Sequence, residues 1–171
     1  GALHGIPIGI KDIIDTRDYA TELGTVLHEG RKPSIDATLV SLLKEAGAII
    51  LGKTVTTELA VLEPGKTSNP HNNAHTPGGS SSGSAAAVAS AMVPLAVGTQ
   101  TNGSVIRPAS FCGIYGFKPS FGRISRQGIL KQSPPLDTVG LFARCLDDLA
   151  LIADVVMRYD AQDDAMSPIA P

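Results

Sequence analysis

From Thr76 to Arg123 the chain reads TPGGSSSGSAAAVASAMVPLAVGTQTNGSVIRPASFCGIYGFKPSFGR, two turns rich in glycine and serine joined by a run of small residues and an apolar strand. The middle of this stretch is the strongest constraint on the fold. GSAAAVASAM, Gly83 to Met92, has helical propensity but small side chains, so a helix here is predicted to lie close against a sheet. The flanking turns carry glycine, which permits unusual dihedrals and close backbone approach, and serine, which supplies a nucleophile and hydrogen-bond partners. A pair of loops so composed reads as an active site.

The rest of the chain supplies the sheet. Ile6 to Ile10 is a short apolar run, read as a buried strand that delivers Lys11 and Asp12 at its end, where chemistry collects in α/β folds. Arg17 to Arg31 is polar and irregular, a surface loop. Asp36 is the expected N-cap of a helix with Leu39, Leu42, Leu43 and Ala46 on one face, closed by Gly47, and Ala48 to Leu51 follows as a strand. Thr54 to Leu62 reads as the start of another helix and Glu63 to Pro77 as a long loop. Val93 to Val97 is the next strand, shortened by Pro94; Val105 to Cys112 is a helical turn containing Pro108; Gly113 to Phe117 is a further strand. Leu146 to Tyr159 gives a last helix, with Asp147 and Asp148 in its first turn and Leu149, Ile152, Ala153 and Val156 along one face. Ala165 to Pro171 is loosely composed. The expected fold class is α/β, a mixed, largely parallel β-sheet flanked by helices, with no internal repeat or linker.

Composition narrows the partners. A formal net charge of −2 gives no electrostatic reason to expect nucleic acid or an anionic membrane, and 4% aromatic residues leave little for base stacking. The two cysteines, Cys112 and Cys145, are too few for a disulfide framework and read as reduced core thiols of a cytoplasmic protein. No long apolar run opens or interrupts the chain.

Several familiar patterns match by accident. GAIILGKT, Gly47 to Thr54, has the form of a phosphate-binding loop, yet Ala48 to Leu51 reads as a buried strand and cannot wrap a phosphate. GSSSG, Gly79 to Gly83, has the form of a nucleophile elbow at Ser81, but all 4 histidines precede it and the required later histidine is missing from the stretch that follows. SLLK, Ser41 to Lys44, falls on the polar face of an amphipathic helix. His71 and His75 sit in a loop with no third ligand nearby, so neither metal nor cofactor is expected. On composition alone, Lys11 reads as the partner of Asp12 in a surface ion pair, and Ser80, Ser81 and Ser82 as helix N-caps.

GGSSSGSAAAVA from Gly78, GTQTNGSVIRPASFCGIYGFKPSFGRIS from Gly98, GIPIGIKD from Gly5 and GAIILGKTVTTELA from Gly47 together resemble the amidase signature family, in order and over nearly the whole chain to Arg144. That resemblance implies a Ser-Ser-Lys triad. Ser104 is then the acylated nucleophile, Ser80 the proton relay that follows a cis peptide bond, and Lys11 the base, its pKa lowered by burial. The successive backbone N–H groups of Thr101, Asn102, Gly103 and Ser104 form the oxyanion hole, with Asn102 standing where most members have glycine. Arg107 is expected to hold either a substrate carboxylate or, by preference, a structural acid.

The same resemblance implies that residues 1–171 are a single, partial domain lacking the N- and C-terminal parts of the family domain. The activity it implies is hydrolysis of a small-molecule amide through an acyl-serine, without nucleic acid, membrane or metal. Two alternatives stand beside it. One is a component like the glutaminase subunit of the tRNA-dependent amidotransferase, which releases ammonia from glutamine for a partner and commonly reads D-T-G-G-S where this chain reads Gln100 to Ser104. The other is a fragment without catalysis of its own.

Overall fold

In a computed structural model, which describes residues 1–168, the strands are β1 (Pro7–Lys11), β2 (Ile49–Thr54), β3 (Leu95–Gln100), β4 (Tyr115–Phe117) and β5 (Thr138–Ala143). They form one sheet in the order β2-β1-β3-β5-β4. β1 pairs in parallel with both β2 and β3, whereas β5 runs antiparallel to β3 and to β4. Only β5 therefore opposes the others, and the mixed, largely parallel sheet expected from the sequence is the one observed. The helices are α1 (Thr38–Glu45), α2 (Ser82–Ala89), α3 (Ile106–Phe111) and α4 (Leu146–Val156).

Alternation along the strands divides the core in two. Ile8 and Ile10 of β1, Leu95 and Val97 of β3, and Leu141 and Ala143 of β5 pack with Leu39 and Leu43 of α1 and Leu149 and Ile152 of α4. Ala96 and Phe142, the residues between, pack on the other side with Ala85 and Val88 of α2, Val105 just ahead of α3 and Ala109 of α3. Two-residue periodicity thus gives a two-faced sheet covered by one helix pair on each side.

The second face is built for close approach. A Cβ at Gly98 would stand 2.6 Å from Ser81 Oγ, and one at Gly140 would stand 2.6 Å from a Val105 methyl. The small residues of α2 bring its backbone onto β1, β2 and β3, and the hydroxyl of Ser84 bonds Val97 O at 2.9 Å and meets Thr54 Oγ1 at 2.6 Å. Gly83 is the tightest point, since a Cβ there would lie 2.3 Å from the backbone N of Val55. Gly83→Ala is expected to lower stability by about 2 to 3 kcal/mol, because the obstacle is main chain that has no rotamer to escape into. Urea denaturation of the variant checks this; a midpoint unchanged from wild type contradicts it.

Several expectations need correction. Asp36 does not cap α1; Ala37 holds that position with no side-chain hydrogen bond, and the Asp36 carboxylate accepts instead from Arg17 N and Lys44 Nζ, both at 2.7 Å. Thr54 to Leu62 does not start a helix. β2 runs on through Thr54, the β-branched residues Val55 to Thr57 favour extended backbone, and Leu59 and Ala60 adopt φ of 47° and 58°, leaving one 3-10 turn at Glu58–Ala60. The strand expected at Val93 starts after Pro94 and continues to Gln100, so it is longer than expected. β5 was not anticipated at all, although TVGLFA is an apolar run closed by Arg144. Cys112 is buried as expected, but Cys145 is exposed, as the first residue ahead of α4. Residues 169–171 of the loosely composed end lie outside the described residues.

Candidate active site

Parallel pairing puts the C-terminal ends of β1 and β3 at the same end of the sheet, so Lys11 closes one strand beside Thr99 and Gln100 of the other. The turn into α2 arrives at the same end. Thr57 N donates to Ser80 O at 3.1 Å, Gly83 N donates to Val55 O at 2.9 Å, and Ser81 N reaches Ser104 O at 3.4 Å. The structure therefore gathers at one place the three segments singled out in the sequence.

Lys11 has no solvent exposure. Its Nζ lies 2.7 Å from Ser80 Oγ and 2.9 Å from Thr99 Oγ1. Among the described residues no carboxylate pairs with it: Asp12 bonds instead to Lys53 Nζ at 3.1 Å. The ion pair expected on composition alone is thus taken by a neighbour, and Lys11 faces two hydroxyls. Burial pulls its pKa from 10.5 down to about 7, and the negative charge of Asp137 opposes that pull. An amine in that range is free to accept a proton near neutrality.

Each serine of the glycine-rich turn has a distinct environment. Ser80, after a cis Gly79–Ser80 peptide, is buried with its hydroxyl on Lys11. Ser81 is buried with its Oγ donating to Thr99 O at 3.2 Å and accepting from Thr99 N at 3.3 Å, so it ties the turn to β3. Ser82 Oγ bonds Val55 O at 3.3 Å. The elbow reading of Ser81 and the helix-cap reading of all three both give way to these longer-range contacts.

The second loop is held at both ends. Gln100 Oε1 accepts from Val105 N at 2.9 Å and Ile106 N at 3.0 Å, and Thr101 Oγ1 donates to Asp137 Oδ1 at 2.5 Å. Between these ties, Ser104 is 8% exposed, and among the described residues neither its hydroxyl nor the N–H groups of Asn102 and Gly103 have a hydrogen-bond partner. Arg107 spans the two loops, its Nε donating to Gly79 O at 3.0 Å and its backbone N to Gly103 O at 2.9 Å. Its partner is a backbone carbonyl rather than the structural acid expected.

Sequence reasoning missed Thr99, Gln100, Thr57 and Asp137. Thr99 and Gln100 carried a usable signal, two polar residues ending an otherwise apolar strand; Asp137 and Thr57 gave none, because their roles depend on contacts distant in the chain. The motifs set aside stay set aside. Gly52 and Lys53 lie within β2, Lys44 pairs with Asp18 and Asp36, and His71 Nε2 bonds Cys112 O at 2.8 Å. Among the described residues no helix is long and apolar enough to cross a membrane.

Comparison with known proteins supplies the wider context. A family profile described as Amidase matches residues 1–171. The chain is 46% identical over 169 residues to the A-type subunit of the glutamyl-tRNA(Gln) amidotransferase of Natranaerobius thermophilus, covering 95% of this chain and 34% of that protein. It is 43% identical to the corresponding protein of Thermus thermophilus, covering 99% and 37%. Among solved structures, the peptide amidase of Stenotrophomonas maltophilia superposes with a TM-score of 0.92 at 38% identity, over 98% of this chain and 37% of that one. The A-type subunit of the Thermotoga maritima glutamyl-tRNA(Gln) amidotransferase gives 0.92 at 34% identity, over 98% and 39%. The chain thus spans little more than a third of these relatives.

These relatives overturn one expectation. Net charge and aromatic content argued against any nucleic-acid partner, but relatives named as subunits of a glutamyl-tRNA(Gln) amidotransferase remove that exclusion. The charge of a segment little more than a third as long as these relatives says nothing about the surfaces that their other segments or subunits contribute.

Proposed function

We propose, since this chain belongs to the amidase family, that it carries the catalytic centre of an amide hydrolase in which Ser104 is acylated, Ser80 relays a proton and Lys11 is the base. The observation that carries this reading is the wholly buried Lys11 amine, 2.7 Å from Ser80 and without a carboxylate partner among the described residues. A lysine serving only structure would be expected to keep an ion pair, because burying a lone ammonium is unfavourable.

The chemistry follows from proton positions. Neutral Lys11 donates one N–H to Thr99 Oγ1 and turns its lone pair to the Ser80 hydroxyl. Ser104 Oγ attacks the carbonyl carbon, passing its proton to Ser80 Oγ as the Ser80 proton passes to Lys11. The carbonyl oxygen, now negative, is met by N–H groups of the Thr101 to Ser104 loop. As the carbon–nitrogen bond breaks, Lys11 returns a proton through Ser80 to the leaving nitrogen, and acyl-Ser104 remains. Water attacks the ester along the same proton path, giving a carboxylic acid and free Ser104. Arg107, braced on Gly79 O, lies in the first turn of α3, three residues after Ser104, where its remaining N–H groups suit a carboxylate on the substrate.

A second reading is favoured by the names of the curated relatives: the centre releases ammonia from glutamine within a multi-subunit amidotransferase. Residues 1–171 are, in either case, part of one larger domain, and the free thiols of Cys112 and Cys145 support a cytoplasmic setting. Ammonia release by the full-length protein, from L-glutamine and from propionamide and benzamide, separates the readings. The amidase reading expects carboxamide hydrolysis by the protein alone; glutamine-only activity that needs a co-purified protein supports the second. No ammonia from any of them, with or without co-purified proteins, supports a segment without catalysis.

A further inference from the structure

Asp137 is a buried carboxylate that the scheme above leaves unused. It sits immediately before β5, where its Oδ1 accepts from Thr101 Oγ1 at 2.5 Å and its Oδ2 from the backbone N–H groups of Gln132 and Ser133 at 2.7 and 2.8 Å. Half-buried Asp12 and buried Asp163 both have cations, Lys53 and Arg126. Asp137 has none among the described residues. Removing a carboxylate from water without a cation is unfavourable, and groups held in that condition gather at functional sites.

We propose that Asp137 is a positioning residue for the amide chemistry: it clamps Thr101 at the head of the loop that carries Ser104 and holds a fixed negative charge within reach of Lys11. The inference rests on the reading of Lys11 as base and Ser104 as nucleophile. Its first part is mechanical. Gln100 holds the far end of the loop through Val105 N and Ile106 N, and the Asp137 clamp on Thr101 holds the near end, so the intervening N–H groups are fixed before substrate arrives.

The second part is electrostatic. Asp137, Thr99 and Thr101 line one cavity of about 10 Å³, and Thr99 Oγ1 is the hydroxyl that accepts from Lys11 Nζ. Burial lowers the proton affinity of Lys11, and the Asp137 charge raises it again. The other charges around this cavity are accounted for. Asp12, the residue after β1, faces Lys53 of β2, Arg126 is bound to the Asp163 carboxylate and also donates to the backbone O of Asp137 at 3.4 Å, and Lys131 is exposed. Among the described residues, the Asp137 carboxylate is the buried charge at this cavity that has no side-chain counter-ion.

Phenylmethanesulfonyl fluoride tests the proposal without knowledge of the substrate, since it sulfonylates an activated serine with loss of fluoride. In the full-length protein, the rate of modification of Ser104, followed by mass spectrometry, is expected to rise with pH through about 7 as Lys11 loses its proton. Asp137→Asn keeps the shape and removes the charge, and is expected to move that rise to lower pH by roughly half a unit or more. Thr101→Val is expected to slow modification roughly tenfold without moving the rise, and Thr101→Ser to restore the rate. An unmoved rise in Asp137→Asn, or equal rates in Thr101→Val and Thr101→Ser, overturns the proposal; the Thr101 pair decides it if Asp137→Asn does not fold. Wild-type protein left unmodified, or Lys11→Ala modified as fast as wild type, shows that the underlying reading has failed, before any Asp137 variant is made.

Discussion

Ser104→Ala in the full-length protein is expected to lower kcat on a carboxamide substrate by roughly 10⁴- to 10⁶-fold. The hydroxyl it removes lies on the loop whose ends are tied by Gln100 and Thr101 and whose Asn102 and Gly103 N–H groups have no partner among the described residues. Lys11→Ala is expected to fall as far, and the double variant hardly further, because base and nucleophile serve a single proton transfer and the loss of either leaves the other idle. Ser80→Ala should lose less, since a water placed between Lys11 and Ser104 relays the proton imperfectly. Steady-state kinetics of the four variants test this. Additive losses in the double variant, or wild-type rates in Ser104→Ala, contradict it.

The second large effect is on stability, with the opposite sign. Lys11 loses its proton near pH 7 in the folded protein but near 10.5 in the unfolded chain. Between those values the unfolded chain binds more protons, so wild-type stability is expected to rise with pH through this window, being lowest below about 7. The burden at neutral pH is on the order of 4 kcal/mol. Lys11→Met removes it while keeping the volume, and forfeits two hydrogen bonds worth about 1 kcal/mol each. The variant is expected to be inactive yet more stable than wild type by about 2 kcal/mol at neutral pH, with a flatter dependence on pH above it. Urea denaturation across the neutral and alkaline range measures both. A Lys11→Met variant less stable than wild type at every pH contradicts the account of Lys11 as a strained, buried base.

What the sequence made legible was mostly local or periodic. The face of α4 formed by Leu149, Ile152, Ala153 and Val156 could be read from spacing alone, and all four are buried. The small residues of α2 announced close packing, and Gly83 meets the main chain of Val55 there. The positions of Lys11, Ser80 and Ser104 came from resemblance; the residues alone favoured an ion pair and helix caps. What stayed hidden depends on contacts remote in sequence. Asp36 looks like a cap until Arg17 and Lys44 are placed beside it, and Thr54 to Leu62 looks helical until β1 recruits its first residue into the sheet. Asp137 carries no local pattern, and its contact with Thr101 exists only because β5 folds back antiparallel on β3.

The mechanism stands on the passage of the substrate's acyl group through an ester on Ser104. Acid quench of the full-length protein during turnover of a carboxamide, followed by peptide mass mapping, detects that ester. The expected result is an acyl adduct on the peptide containing Ser104, absent from the peptide containing Ser80, Ser81 and Ser82, and lost when hydroxylamine is added as the hydroxamate appears. An adduct on Ser80 or Ser81, or full turnover with hydroxylamine intercepting nothing, would contradict it.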